Sequence, residues 1–85
     1  MEVINMKKTF EVMYDGHQIQ VENNWFTGER LYVDGQLQDE NLGLRGKLYG
    51  ELKSKEGSKL IKVALGGTFK INCRIFVENT LIYPE

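Results

Sequence analysis

Along most of this chain apolar and polar residues alternate one by one, and the alternation is interrupted at short intervals by glycine, aspartate and asparagine. The runs between these breaks are rich in Val, Ile, Phe, Tyr and Thr. No window keeps a helical period for more than two turns, and the single proline, Pro84, stands next to the end. That pattern predicts a series of antiparallel strands. Asp15-Gly16 is a two-residue hairpin signal. It sets Val12 opposite Ile19 and Phe10 opposite Val21 on one apolar face, and leaves Glu11, Met13, Gln18 and Gln20 on the other. Asp34-Gly35 is a second signal. A two-residue loop there pairs Tyr32 with Leu37, a three-residue loop ending at Gln36 pairs Val33 with Leu37, and both registers stay open.

From Leu42 onward the apolar positions recur at every second residue: Leu42, Leu44, Leu48 and Leu52, with Gly46 and Gly50 between them. A turn centred on Glu56-Gly57 sets Leu52 opposite Ile61, Leu48 opposite Leu65, and Glu51 opposite Lys62 on the outer face. Read as a three-residue loop, Gly66-Gly67-Thr68 pairs Leu65 with Phe69, Val63 with Ile71 and Ile61 with Cys73. A last turn at Glu78-Asn79 pairs Ile75 with Ile82 and completes a meander from about Leu42 to Tyr83. The stretch Tyr14–Asn23 is echoed by Val33–Asn41, which is one residue shorter; two hairpins with the same turn chemistry account for it better than a duplication.

Seven or eight short strands need two layers, or closure, to bury one apolar face. The expected fold is all-β: an antiparallel two-sheet β-sandwich, with a small β-barrel as the alternative. Residues 1–85 form one domain, with 1–7 as a lead-in. Met1 and Met6 are alternative starts, and the choice decides whether Glu2-Val3-Ile4 extends the first strand. The strand Phe10–Tyr14 and the strand Leu81–Tyr83 are the candidate edges, where a homodimer or a partner's strand could add.

Composition narrows the function classes. The chain has 85 residues, 41% of them hydrophobic, so it can fold but its core is thin. Eleven basic and 12 acidic side chains leave a net charge of −1, so an electrostatic partner must be met by a local patch. One cysteine, Cys73, forms no internal disulfide, and no apolar run approaches the ~18–20 residues of a membrane span. A cytoplasmic location without a membrane partner is the expectation.

Candidate chemistry is sparse. His17 is the only histidine and follows the first turn. A Cys73–His17 nucleophilic pair is outweighed by the pattern Phe69, Ile71, Cys73, Ile75, which reads as core. One Cys and one His exclude an intramolecular zinc site of the usual kind, and Asp15, Asp34, Asp39 and Glu40 lack the spacing of a calcium loop. Gly43-x-x-Gly46 and Gly66-Gly67 lack the following helix that a phosphate cradle requires. The expectation is no enzyme, catalytic residue, metal or cofactor. Two features stand above this background. Trp25-Phe26, in or near a loop, are candidate interaction residues, although capping so small a core is the favoured reading for them. The outer face of the meander carries Lys47, Lys53, Lys62, Lys70 and Arg74 around Tyr49 and Phe76, against Glu51 and Glu78. Tyr49, Lys62, Lys70, Arg74 and Phe76 are therefore a candidate surface for single-stranded nucleic acid, beside the plainer reading as a solvated sheet face.

Three segments, Tyr14-Asp15-Gly16, then Gly28-Glu29-Arg30-Leu31-Tyr32-Val33-Asp34-Gly35, then Ile75-Phe76-Val77-Glu78-Asn79-Thr80-Leu81-Ile82, fall in an order that resembles the β-sandwich domain of the Fas apoptotic inhibitory molecule family. The resemblance covers most of the chain and consists of strand and turn patterns. It implies the fold, and a role in interaction or regulation without a catalytic motif. The expected function is accordingly a non-enzymatic protein-interaction or regulatory module acting on a protein partner or on itself, with nucleic-acid binding as the alternative.

Overall fold

A computed structural model describes residues 7–42, 46–67 and 70–85. They form eight strands: β1 (Lys7–Tyr14), β2 (His17–Asn24), β3 (Gly28–Val33), β4 (Gln36–Asn41), β5 (Lys47–Ser54), β6 (Gly57–Gly66), β7 (Asn72–Val77) and β8 (Thr80–Tyr83). Consecutive strands pair antiparallel into two four-stranded sheets, β1-β2-β3-β4 and β5-β6-β7-β8. The sheets do not close into a barrel, so the architecture is the two-sheet sandwich. Lys7, placed in the lead-in by the sequence pattern, opens β1, and the Glu2-Val3-Ile4 question lies outside the described residues.

Three of the turns explain much of the register. Asp15-Gly16, Asp34-Gly35 and Glu78-Asn79 all hold both central residues at positive φ: 52° and 78°, 52° and 79°, 49° and 66°. Turns of that hand match the twist of the strands they join. Asp, Asn and Gly tolerate the conformation readily. Glu78 does not, and it is held there by β6: its N–H donates to the Leu60 carbonyl at 3.0 Å, and its carboxylate accepts from the Leu60 N–H at 2.9 Å. The first hairpin has the expected register, Val12 opposite Ile19 and Phe10 opposite Val21. The second takes the two-residue loop, with Tyr32 opposite Leu37 and a bulge beyond it that sets Leu31 opposite Asp39.

The second sheet departs from the expected pairing in three places. Its first turn is Lys55-Glu56, so Leu48 faces Val63, Gly50 faces Ile61, and Glu51 faces Leu60 while Tyr49 faces Lys62. Ser54 moves the turn: its hydroxyl accepts from the Glu56 N–H at 3.2 Å and donates to the Gly57 carbonyl at 2.8 Å, so Gly57 leaves the turn instead of making it. Next, β6 runs on through Gly66, and Val63 faces Ile75, Leu65 faces Cys73 and Ile61 faces Val77. Gly67, at φ 114°, lies against the Lys70 carbonyl in a wider loop than the sequence suggested. Phe69, expected opposite Leu65, lies outside the described residues, as does Leu44. A bulge in the last hairpin sets Ile75 opposite Tyr83 in place of Ile82. The shifts in the first two hairpins are even-numbered, so each apolar side chain stays on its expected face although its partner changes.

The core is the meeting of the two inner faces. Val12, Ile19, Val21, Leu31 and Val33 come from the first sheet; Leu48, Leu52, Ile61, Val63, Cys73, Ile75 and Val77 come from the second. Each such aliphatic side chain contributes roughly 1.5–3 kcal/mol on burial. Leu42, expected to share this face, is 82% exposed instead. The two long seams of the sandwich differ. Along one, β5 presents the backbone groups that point away from β6, and side chains of the first sheet take them up. Asn41 donates to the Lys47 carbonyl at 2.8 Å, and the Tyr49 N–H donates to Asp39 at 2.7 Å. Gln38 accepts from the Glu51 N–H at 2.7 Å and donates to its carbonyl at 2.8 Å, and His17 Nε2 lies 2.7 Å from the Lys53 carbonyl. Along the other seam β1 and β8 face each other through Phe10 and Tyr83, edge to face with ring centroids 6.0 Å apart.

Candidate functional site

The β2–β3 turn carries Trp25 and Phe26, which are 70% and 80% exposed. They do not cap the core, which corrects the favoured sequence reading. Asn24 fixes the turn outward: its side-chain oxygen accepts from the N–H of Phe26 at 2.8 Å and of Thr27 at 3.1 Å. Beneath the turn the inward positions are polar, Asn23 facing Glu29 across the two strands, so there is no apolar mouth for the rings to cover. Gly28, at φ 94°, packs its backbone on Asn41 and Leu42, so that exposed Leu42 lies beside the same end.

Glu29 is 3% exposed. Its Oε2 accepts from Asn23 at 3.3 Å, Asn41 adds a second hydrogen bond, and its Oε1 has no partner among the described residues. Burial pushes its pKa up, and the two amides offset part of that. Cys73 faces the core as expected. Burial first, and the charge of Glu29 second, push its thiol up to about 12, so at neutral pH it is a protonated thiol without nucleophilic character.

His17 stands at the opposite end of the sandwich from Cys73. It reaches Lys53, whose partner on β6 is Ser58, whereas Cys73 pairs with Leu65 seven residues further along that strand. The two therefore do not form a pair. The ring's Nδ1 lies 2.6 Å from Asp34 Oδ2, and its Nε2 lies 2.7 Å from the Lys53 carbonyl. Both partners are acceptors, so only the doubly protonated ring satisfies both bonds. The Asp34 bond first, then the Lys53 carbonyl, raise the pKa of His17. His17 and the Gln18 N–H lower that of Asp34 in return. Three of the four acids considered as cation ligands have other work: Asp34 holds His17, Asp39 accepts from the Tyr49 and Glu40 amides, and Glu40 pairs with Arg30 at 3.2 Å. Among the described residues no three His, Cys, Asp or Glu side chains are placed to hold a metal ion.

The proposed nucleic-acid surface assembles in part. Tyr49, Lys62, Phe76 and Leu81 form one row across the outer face of the second sheet, and Lys47, Ala64 and Arg74 form the next. Lys62 Nζ sits 5.0 Å from the centroid of the Phe76 ring, a cation–π pair that occupies the face a base would stack on. Lys70 is off this surface. It lies on the bend before β7 and lines a cleft of about 460 Å³ at the open seam, together with Lys8, Phe10, Arg74 and Tyr83.

The sequence did not single out Glu29, Gln38 or Asn41, and pointed to Asp39 only as a possible cation ligand. The signal was present in β4, Gln36–Asn41, where only Leu37 is apolar: a strand polar on both faces has its side chains committed elsewhere.

These features define a class, an eight-stranded antiparallel sandwich that displays a braced aromatic turn at one end. No protein-family model, curated protein or solved structure matches the chain.

Proposed function

We propose that this chain is a non-enzymatic protein-interaction module whose partner is gripped by the Trp25–Phe26 turn. The observation that carries this reading is the exposure of both rings, 70% and 80%, on a turn that Asn24 already holds in shape. Aromatic side chains displayed on a rigid turn give a large apolar contact with little ordering cost, which is what an interface anchor needs. The role agrees with the one implied by the resemblance to the Fas apoptotic inhibitory molecule family. A cytoplasmic setting suits a chain whose one cysteine is a free thiol; no described helix is long and apolar enough to cross a membrane. Nucleic-acid binding has less support, because Lys62 occupies the face of Phe76 and Lys70 lies away from the sheet.

The test is to immobilise the wild-type domain and the double variant Trp25→Ser/Phe26→Ser and to compare the proteins each retains. A partner held by the wild type and weakened at least about 30-fold by the double variant supports the reading, since anchor residues contribute roughly 2 kcal/mol or more. Equal retention by two equally folded proteins overturns it.

A further inference from the structure

On the inner face of β1, Val12 is buried and Phe10 packs against the core; the next position on that face is Lys8. An apolar side chain would extend the core there, so the lysine breaks the local pattern, and such breaks tend to fall at functional positions. Its Nζ lies 5.9 Å from the centroid of the Phe10 ring, and both residues line the cleft of about 460 Å³ between β1 and β7. Lys70, from the bend before β7, and Arg74, from β7 itself, bring two more cations to the same cleft. The ion pairs among the described residues are Lys7–Glu22, His17–Asp34 and Arg30–Glu40, and none of them takes up Lys8, Lys70 or Arg74. Among the described residues no Asp or Glu lines this cleft. Glu85, which follows the lining residue Pro84, is exposed and outside the lining, and Glu29, whose charge is felt at Cys73, is buried. The two clefts beside His17 differ, because they mix signs: Asp15 and Glu56 with Lys53, Lys55 and Lys59 in one, Asp34 and Glu51 with Lys53 in the other. A cleft lined by one sign of charge concentrates ligands of the other.

We infer that this cleft binds a small phosphate monoester carried on an apolar body. The charges choose the headgroup. Three cations exceed what one carboxylate balances, whereas a phosphate monoester carries about −1.5 to −2 at neutral pH and offers three acceptor oxygens. The cations come from three places, β1, the bend and β7, so they approach a central anion from different sides. Arg74 adds the planar fork that suits phosphate. The rest of the lining chooses the body. Phe10, Ile71 and Tyr83 give the cleft an apolar wall, and Phe10 and Tyr83 brace each other edge to face with centroids 6.0 Å apart. Cys73 also lines the cleft, and as a protonated thiol it adds no negative charge. The volume falls in the range of roughly 300–1,000 Å³ usual for small-molecule sites. Trp25 and Phe26 do not line the cleft, so this inference and the proposed function fail or stand separately.

The test is a titration of the nitrogen-15-labelled domain, followed by amide chemical shifts, with phenyl phosphate, inorganic phosphate and phenol in turn, each over roughly 0.1–10 mM. The expected result is a saturable set of shifts from phenyl phosphate at Lys8, Phe10, Lys70 to Arg74 and Tyr83. Its affinity should exceed that of inorganic phosphate at least about 10-fold, the share of the apolar wall, and phenol should give no saturable shifts. Lys8→Gln and Arg74→Gln should each weaken phenyl phosphate at least about 5-fold, as expected for the loss of a charged hydrogen bond. Lys55→Gln, at the His17 end, should leave it unchanged. The inference is overturned by the absence of saturable shifts from phenyl phosphate, or by shifts spread equally over both ends of the sandwich. Equal affinity for inorganic phosphate overturns it as well, as does a loss on Lys55→Gln as large as that on Arg74→Gln.

Discussion

His17 pins the two sheets together at one end, and it does so through hydrogen bonds that only its charged form can make on both sides. Asp15, Glu51, Lys53, Lys55, Glu56 and Lys59 line the surface around it, but Asp34 and the Lys53 carbonyl alone bond its ring. Its folded-state pKa is raised above the ordinary 6.5, so its contribution is complete below that value and is lost as pH rises through the raised one. The lowered pKa of Asp34 works in the other sense: its contribution is complete above the ordinary 3.8 and is lost as pH falls through the lowered value. The pair therefore stabilises the fold most between about 3.8 and 6.5. Urea midpoints measured from pH 5 to pH 9 are expected to fall on the alkaline side for the wild type and to change less for His17→Gln. Equal pH profiles for the two proteins would remove His17 from this role. Glu29 is the counterexample at the same scale. Its raised pKa means that the folded chain holds a proton more readily than the unfolded one, so this group's contribution declines as pH rises past the ordinary glutamate range.

At the scale of the strand, β5 shows how an edge is closed without another strand. Gln38 holds both the N–H and the carbonyl of Glu51, so Gln38→Ala leaves two backbone groups of β5 to water at once. The expected cost is about 1–2 kcal/mol in a urea titration, together with greater aggregation on standing, because the flat edge is then exposed. An unchanged midpoint and a clear solution would show that the seam does not depend on this residue. The strands themselves were largely legible in the sequence. Asp15-Gly16, Asp34-Gly35 and Glu78-Asn79 make tight turns, and the alternation of Leu48, Leu52, Ile61, Val63, Cys73, Ile75 and Val77 names the inner face of the second sheet. Register was less legible, because alternation has a period of two and cannot distinguish one pairing from another two residues away. At the β5–β6 turn the choice falls to the Ser54 hydroxyl, and no apolar pattern encodes it. The seam was not legible, since Gln38, Asp39 and Asn41 are ordinary polar residues until the two sheets meet.

For the whole molecule, the contrast is between ends and seams. One seam is sealed by Asn41, Asp39, Gln38 and His17; along the other, Phe10 of β1 meets Tyr83 of β8 edge to face. One end is tied by His17, and the other carries Trp25 and Phe26 outward on a turn that buries neither. The misreading of those two residues as a cap came from a sound premise, that a small chain has little core to spare. It failed because Asn23, Glu29 and Asn41 make the inner surface at that end polar. The account rests on the two rings being held for a partner and contributing nothing to the core. Urea unfolding of Trp25→Ser/Phe26→Ser, followed by circular dichroism, tests this most directly. The account predicts a stability within about 0.5 kcal/mol of the wild type, as for surface substitutions. A loss of roughly 3–5 kcal/mol, the cost of removing a buried aromatic, would place the rings in the core and contradict it.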